Sequence, residues 1–136
     1  MPFALLFGRK QALDEPLAPA ERKTLMLALG INLLLPVVSP AWVALGKRAT
    51  MPRAAALCGR KIVLDVLFLL VELVLLPLPL VTWLVPSEAI NPWALLGGLA
   101  VWLAVILIVW LWWKTVTILA LRAAEKGALY RFPIVG

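Results

Sequence analysis

The stretch TLMLALGINLLLPVVSPAWVALG, residues Thr24–Gly46, decides the fold. On length alone it can cross the hydrocarbon core of a bilayer, which takes about 20 helical residues. Gly30, Asn32, Pro36, Ser39 and Pro40 punctuate it. Pro36 and Pro40 each lack an amide hydrogen and disfavour helix in the residue before them. The turn Pro36-Val-Val-Ser-Pro40 therefore joins two short helical arms in a re-entrant hairpin, with a kinked spanning helix as the alternative. Flanking charge favours the hairpin. Arg9, Lys10, Arg22 and Lys23 precede the stretch, and Lys47, Arg48, Arg53, Arg60 and Lys61 follow it. A spanning segment would put these two basic groups on opposite sides, against the positive-inside rule. The broken backbone of a hairpin must be covered by protein, since lipid offers it no hydrogen bonds.

Two further apolar segments run from Ile62 to Val85 and from Pro92 to Leu121. The connection Pro86–Asn91 carries Glu88 and no basic residue, while Arg122, Lys126 and Arg131 follow the last segment. The expected fold is an all-α integral membrane protein: two transmembrane helices plus a Pro-broken re-entrant helical hairpin (alternative: three transmembrane helices). Residues 1–23 form a cytoplasmic or interfacial arm, with Phe3, Leu5, Leu6 and Phe7 dipping into the headgroup zone. Residues 24–126 form the membrane domain: a hairpin at 24–46, a spanning helix at 62–85, and a long helix at 92–126 that projects into the cytoplasm. Residues 127–136 are a tail, opened by Gly127 as the expected C-terminal cap of the long helix. This arrangement places both termini in the cytoplasm, with a bacterial cytoplasmic (inner) membrane as the expected location.

Composition agrees. Of 136 residues, 64% are apolar and only 15% charged, and the mean hydropathy is +1.02. A soluble domain covers itself with about a quarter charged residues. Histidine is absent and Cys58 is the one cysteine. General-base imidazole chemistry and histidine ligation of haem, zinc or chlorophyll magnesium are thereby excluded. A serine or cysteine nucleophile would lack its usual partner, and Gly97-Gly98 is an isolated pair, not a phosphate loop. No catalytic residue, metal site, or covalent or histidine-ligated cofactor is expected; contacts with bound lipid or pigment are compatible with the chain. The net charge of +6 points to anionic lipid rather than nucleic acid.

Tryptophans give a depth scale. Trp83 and Trp93 mark the outer interface, and Trp110, Trp112 and Trp113 the inner one. The interval Trp93 to Trp113, about 20 residues, is about 30 Å of helix, the thickness of the hydrocarbon core. Lys114 then snorkels at the inner headgroups. Asp65 is interfacial, with Lys61 one turn away on the same face and Lys114 at similar depth. Glu72 lies about 12 Å deeper than Leu64, with no opposite charge three or four positions away. An ionisable group at that depth reads as helix-locking structure or as a proton or ion site, with Asn32 as its expected partner. Pro77 and Pro79 free the carbonyls of Leu73 and Leu75 and should kink the second segment. Gly97, Ala100 and Ala104 form a small-residue face that should receive its bulky side chains. Trp102, alone near mid-depth, is a candidate for a specific contact.

The C-terminal run Ala123-Ala124-Glu125-Lys126-Gly127-Ala128-Leu129-Tyr130-Arg131-Phe132-Pro133 resembles the closing motif of a family of small bacterial membrane proteins of unknown function. That family is distantly related to the Tic component of chloroplast protein import. Pro36 and Pro40 with the basic Lys47-Arg48 exit resemble the family's first segment, and Cys58-Gly59-Arg60-Lys61 its approach to the second. The chain departs from the pattern at Asp65, where the family has Asn and Gln nearby, and in having no histidine. The resemblance implies a compact helical membrane domain and carries no catalytic residues. The expected function is that of a non-catalytic accessory or structural subunit among other membrane protein subunits, photosynthetic or respiratory. The alternative is a transport or protein-translocation component with Glu72 in its pathway.

Overall fold

Proline and glycine set the helix boundaries. The computed structural model describes residues 6–11, 16–84, 86, 88 and 91–133. Its elements are β1 (Arg9–Gln11), α1 (Pro19–Asn32), α2 (Val38–Gly46), α3 (Pro52–Leu75), a 3-10 helix (Leu78–Leu84), α4 (Pro92–Glu125) and β2 (Leu129–Arg131). Pro19, Pro52 and Pro92 each open a helix, where a missing N–H costs nothing and φ is pre-set. At the other end of α4, Gly127 takes φ +74°. Its N–H reaches the Ala124 carbonyl at 2.9 Å, and the Ala128 N–H reaches that of Ala123 at 2.9 Å. This is a Schellman cap, and it gives Gly127 the capping role its sequence position suggests.

The chain is mostly helical. Two helices are long and apolar enough to cross a membrane: α3 with its continuation to Thr82, and α4. Two starts differ from expectation. The first arm begins at Pro19 rather than Thr24, because Arg22 and Lys23 point outward while Leu25, Ala28, Leu29 and Asn32 face inward at helical spacing. Likewise α3 begins at Pro52 rather than Ile62, burying Ala54, Leu57, Cys58 and Lys61. An apolar run marks where charge stops, not where helix starts. The hairpin turn also falls earlier, at residues 33–37. Pro40 is the third residue of α2, a position whose N–H has no intrahelical acceptor in any helix.

The core lies at one end of the molecule. There α1, α2, the first half of α3 and the last half of α4 enclose Leu25, Leu29, Val43, Leu64, Val116 and Ala120. Side chains lock the elements together. Ser39 Oγ donates to the Ala28 carbonyl across the hairpin at 2.6 Å. Glu21 Oε1, on α1, accepts the Ala54 N–H at 2.9 Å and so caps the α3 N-terminus, where the helix dipole favours negative charge.

The all-α expectation needs one correction. The N-terminal arm is not a free surface segment: β1 pairs antiparallel with β2, Lys10 opposite Tyr130. Three-residue strands carry too little period to be read from sequence. Leu17 N–H also reaches the Gly127 carbonyl at 2.9 Å, and the buried Tyr130 hydroxyl donates to the Phe7 carbonyl. Phe3 and Leu5 of the expected arm lie outside the described residues.

Burial raises the Tyr130 phenol above its ordinary value, which is about 10 for an exposed tyrosine. The stability it contributes is therefore intact below about pH 10 and is lost as pH climbs through the folded value. Tyr130 is the only tyrosine, so an alkaline absorbance titration reads it alone. The phenolate should appear above the ordinary midpoint, and a midpoint at or below it in folded protein would contradict the burial.

Past this head, α3 and α4 are bare. Pro77 and Pro79 cannot donate to the Leu73 and Leu75 carbonyls, and the expected kink takes the form of a tightening into 3-10 helix. The Leu75 carbonyl freed by Pro79 accepts the Trp102 indole N–H at 2.5 Å. Trp102 thus answers a hydrogen-bond deficit that proline creates. Trp102→Phe should cost about 1–3 kcal/mol by leaving that carbonyl unpaired, read as a lowered thermal midpoint in detergent. An unchanged midpoint would show the bond to be dispensable. An apolar cleft of about 460 Å³ opens between the 3-10 helix and α4, lined by Leu78, Pro79, Leu95, Gly98 and Trp102 among others.

The expected small-residue groove is not the contact face. Gly97, Ala100 and Ala104 are exposed, because α4 turns Trp102 toward α3 and so turns these three away. Trp93 is 81% exposed at the far end. The side chain of Trp83 lies outside the described part of the structure.

Candidate functional site

Asp65 is the centre of the polar interior. A carboxylate offers about four lone-pair sites, and here each oxygen accepts two donors. Oδ1 takes the Lys61 ammonium and the Trp113 indole N–H at 2.6 Å. Oδ2 takes Asn32 Nδ2 at 2.7 Å and the Val37 backbone N–H at 2.9 Å. Asp65, Lys61 and Asn32 are fully buried, and Trp113 is 2% exposed. A buried charge survives only when paired and hydrogen-bonded, and Asp65 is both. Lys61 has a second support, its Nζ standing 4.8 Å from the Trp113 ring centroid, a cation–π distance. The other side of the cluster is closed by Phe68, stacked on Trp113 at 4.9 Å.

Chain geometry explains why these groups meet. Lys61, Asp65 and Phe68 lie one turn apart on a single face of α3. Asn32 ends α1, and Val37 precedes α2. Asp65 therefore grips both sides of the hairpin turn and fixes it to α3. Val37 has φ +73° and ψ −44°, and the Val38 N–H reaches back to the Pro36 carbonyl at 2.9 Å. That is the rare positive-φ γ-turn, strained for a β-branched residue. The strain frees the Val37 N–H to point at Asp65. Val37→Gly keeps the N–H and removes the strain, which should stabilise the fold by about 1 kcal/mol net of glycine's entropy cost. A lowered thermal midpoint would contradict this account of the turn.

Several expectations are revised here. Asp65 does pair with Lys61, and the pair is sealed in the protein interior. Asn32 serves Asp65, not Glu72. The Lys114 ammonium has partners within the fold: it donates to the Leu33 carbonyl at the end of α1 and lies 4.7 Å from the Trp110 ring centroid. A cation there meets the negative end of the α1 dipole. Trp113 is an interior residue, Trp112 is half-buried and donates to the Leu6 carbonyl at 2.5 Å, and Trp110 is 44% exposed. Glu72 stands apart from the cluster, and its Oε1 has no hydrogen-bond partner among the described residues. Pro77 and Pro79 are likewise remote, on the bare part of the molecule. Sequence reasoning missed the roles of Val37 and Glu21. A main-chain N–H has no sequence signature, and Glu21 looked like one charge among several.

The chain matches no known protein-family model, no curated protein and no solved structure.

The cluster's chemistry is that of a lock. All four acceptor positions of Asp65 are used by the fold itself, and no group of three or more potential metal ligands occurs among the described residues. The free thiol of Cys58 is buried one turn before Lys61. Such a network specifies one arrangement of hairpin and helices.

Proposed function

We propose that the chain is a non-catalytic integral membrane protein, an accessory or structural subunit of a larger membrane complex. The observation that carries this is the bare length of its two long helices. In the most apolar stretch of α4 no residue is buried, and in that of α3 and its continuation 17% are. Such surfaces are stable only against lipid or other membrane proteins. The head locks two helices at one end and leaves about 30 Å of each to be covered. The absence of histidine from the sequence and the full internal use of Asp65 support a non-catalytic role.

The hairpin supports a re-entrant placement. Its tip exposes Leu34, Leu35 and Val38, at 80%, 53% and 62%, while exposed Arg22, Lys23 and Arg48 stand at its base. From Lys23 to Leu33 is about 15 Å of helix, half the hydrocarbon thickness. Half-exposed Trp42, with the Lys47 ammonium 5.7 Å from its ring centroid, fits an interfacial anchor near the base. On this reading the base of the hairpin and both termini are cytoplasmic, the hairpin tip enters the bilayer, the basic residues meet anionic lipid, and the membrane is the bacterial inner membrane. The complex would be photosynthetic or respiratory. The C-terminal resemblance agrees with a compact membrane domain: Gly127 caps α4, and Tyr130 and Phe132 close the head.

Purification of tagged chain from native membranes in gentle detergent tests the proposal. A large partner recovered in fixed stoichiometry is the expected result. Chain emerging alone, or only with copies of itself, would overturn it and favour the transport reading, in which Glu72→Gln should abolish flux.

A further inference from the structure

On α3, Cys58, Lys61, Asp65, Phe68 and Glu72 succeed one another at spacings of three and four, which places them on one line of the helix. The first four are buried by the hairpin and α4. The hairpin tip binds at Asp65, through Asn32 and Val37, and Glu72 lies about 10 Å beyond it along the axis. Its neighbours hide Oε1 from solvent, yet it accepts no hydrogen bond from any described residue. The carboxyl borders a shallow apolar groove with Val66, Leu69, Leu70, Leu73 and Leu76. Asp65, on the same line, uses all four acceptor positions; Glu72 Oε1 has a comparable need and no donor among the described residues.

We propose, building on the accessory-subunit reading, that this groove seats a transmembrane helix of a different protein, which presents a Lys or Arg side chain to Glu72. Two observations select this occupant. The groove flanks the stripe that the hairpin covers, with Glu72 on their shared edge, so a partner helix there adjoins an existing interface. Charge complementarity then fixes the side chain, because an acidic group in an apolar zone is retained with a donor opposite it. A second copy lying parallel would instead bring its own Glu72 to the same depth, carboxyl against carboxyl.

The test uses the full chain in native membranes, with a photo-activatable residue in place of Leu73 and, as a comparison, of Ile108 on α4. The expected adduct from position 73 is a membrane-spanning peptide of another protein that contains Lys or Arg. Glu72→Leu should lower recovery of that partner at least tenfold. Glu72→Lys should do the same and be rescued when the partner's basic residue is changed to Glu. The thermal midpoint of the isolated Glu72→Leu chain should not fall, since no internal hydrogen bond is lost. An adduct with lipid alone, with another copy of this chain, or with a segment lacking a basic residue would overturn the proposal. So would undiminished partner recovery from Glu72→Leu. Partner capture from position 108 alone would sink this inference and leave the accessory reading standing; no partner at all would sink both.

Discussion

Asp65→Ala should be among the most damaging single substitutions in the chain, lowering stability by about 3–5 kcal/mol, the usual cost of removing one member of a buried ion pair. The loss has three parts. Lys61 is left fully buried without its counter-charge, the Trp113 and Asn32 donors lose their acceptor, and the strained Val37 turn loses the bond that holds it. The converse change should be milder. Lys61→Met removes the positive charge, but Asp65 keeps three donors, Trp113, Asn32 and the Val37 N–H. A carboxylate so bonded remains satisfied. Thermal unfolding in detergent, followed by tryptophan fluorescence, should therefore rank Asp65→Ala well below Lys61→Met. Equal midpoints would mean that the cluster acts as a simple ion pair, not as a clamp on the hairpin.

Trp113→Ala should cost about 3–5 kcal/mol, as truncations of buried large aromatics do. The indole stacks on Phe68, underlies the Lys61 ammonium and donates to Asp65. Trp113→Phe separates these roles, because it retains a stacking ring while deleting the N–H together with the five-membered ring that carries it. It should cost about 1–3 kcal/mol, the penalty for a lost hydrogen bond to a charged group. If the phenylalanine variant is as unstable as the alanine variant, the hydrogen bond dominates and the stack contributes little. If it is as stable as the parent chain, the N–H is not part of the lock.

The coarse architecture was legible in the sequence because it follows from charge and hydropathy. Basic residues on both flanks of Thr24–Gly46, with Pro36 and Pro40 inside it, pointed to a hairpin. Two arms joined by a turn are what the structure contains. Gly127 as a cap and the Lys61–Asp65 pair were readable from local spacing. What was not legible depends on contacts across long separations. Asn32 was matched to Glu72 by counted depth, but α1 runs from Pro19 and its end lies at the level of Asp65. The face of α4 that meets α3 was chosen by small residues, yet the orphaned Leu75 carbonyl turned Trp102 inward instead. Trp113 looked like its neighbours Trp110 and Trp112, since nothing in a run of aromatics says which one meets a buried carboxylate. The β1–β2 ribbon was invisible for a simpler reason: its strands are three residues long.

Cysteine accessibility in sealed native membranes tests the central claim, that the hairpin enters and leaves one face of the bilayer. On a Cys58→Ser background, single cysteines would replace Arg22 at one base of the hairpin, Arg48 at the other, and Leu34 at its tip. The account predicts that a membrane-impermeant maleimide labels positions 22 and 48 from the same side, and that position 34 is protected from both. Labelling of 22 and 48 from opposite sides would show a spanning segment and contradict it.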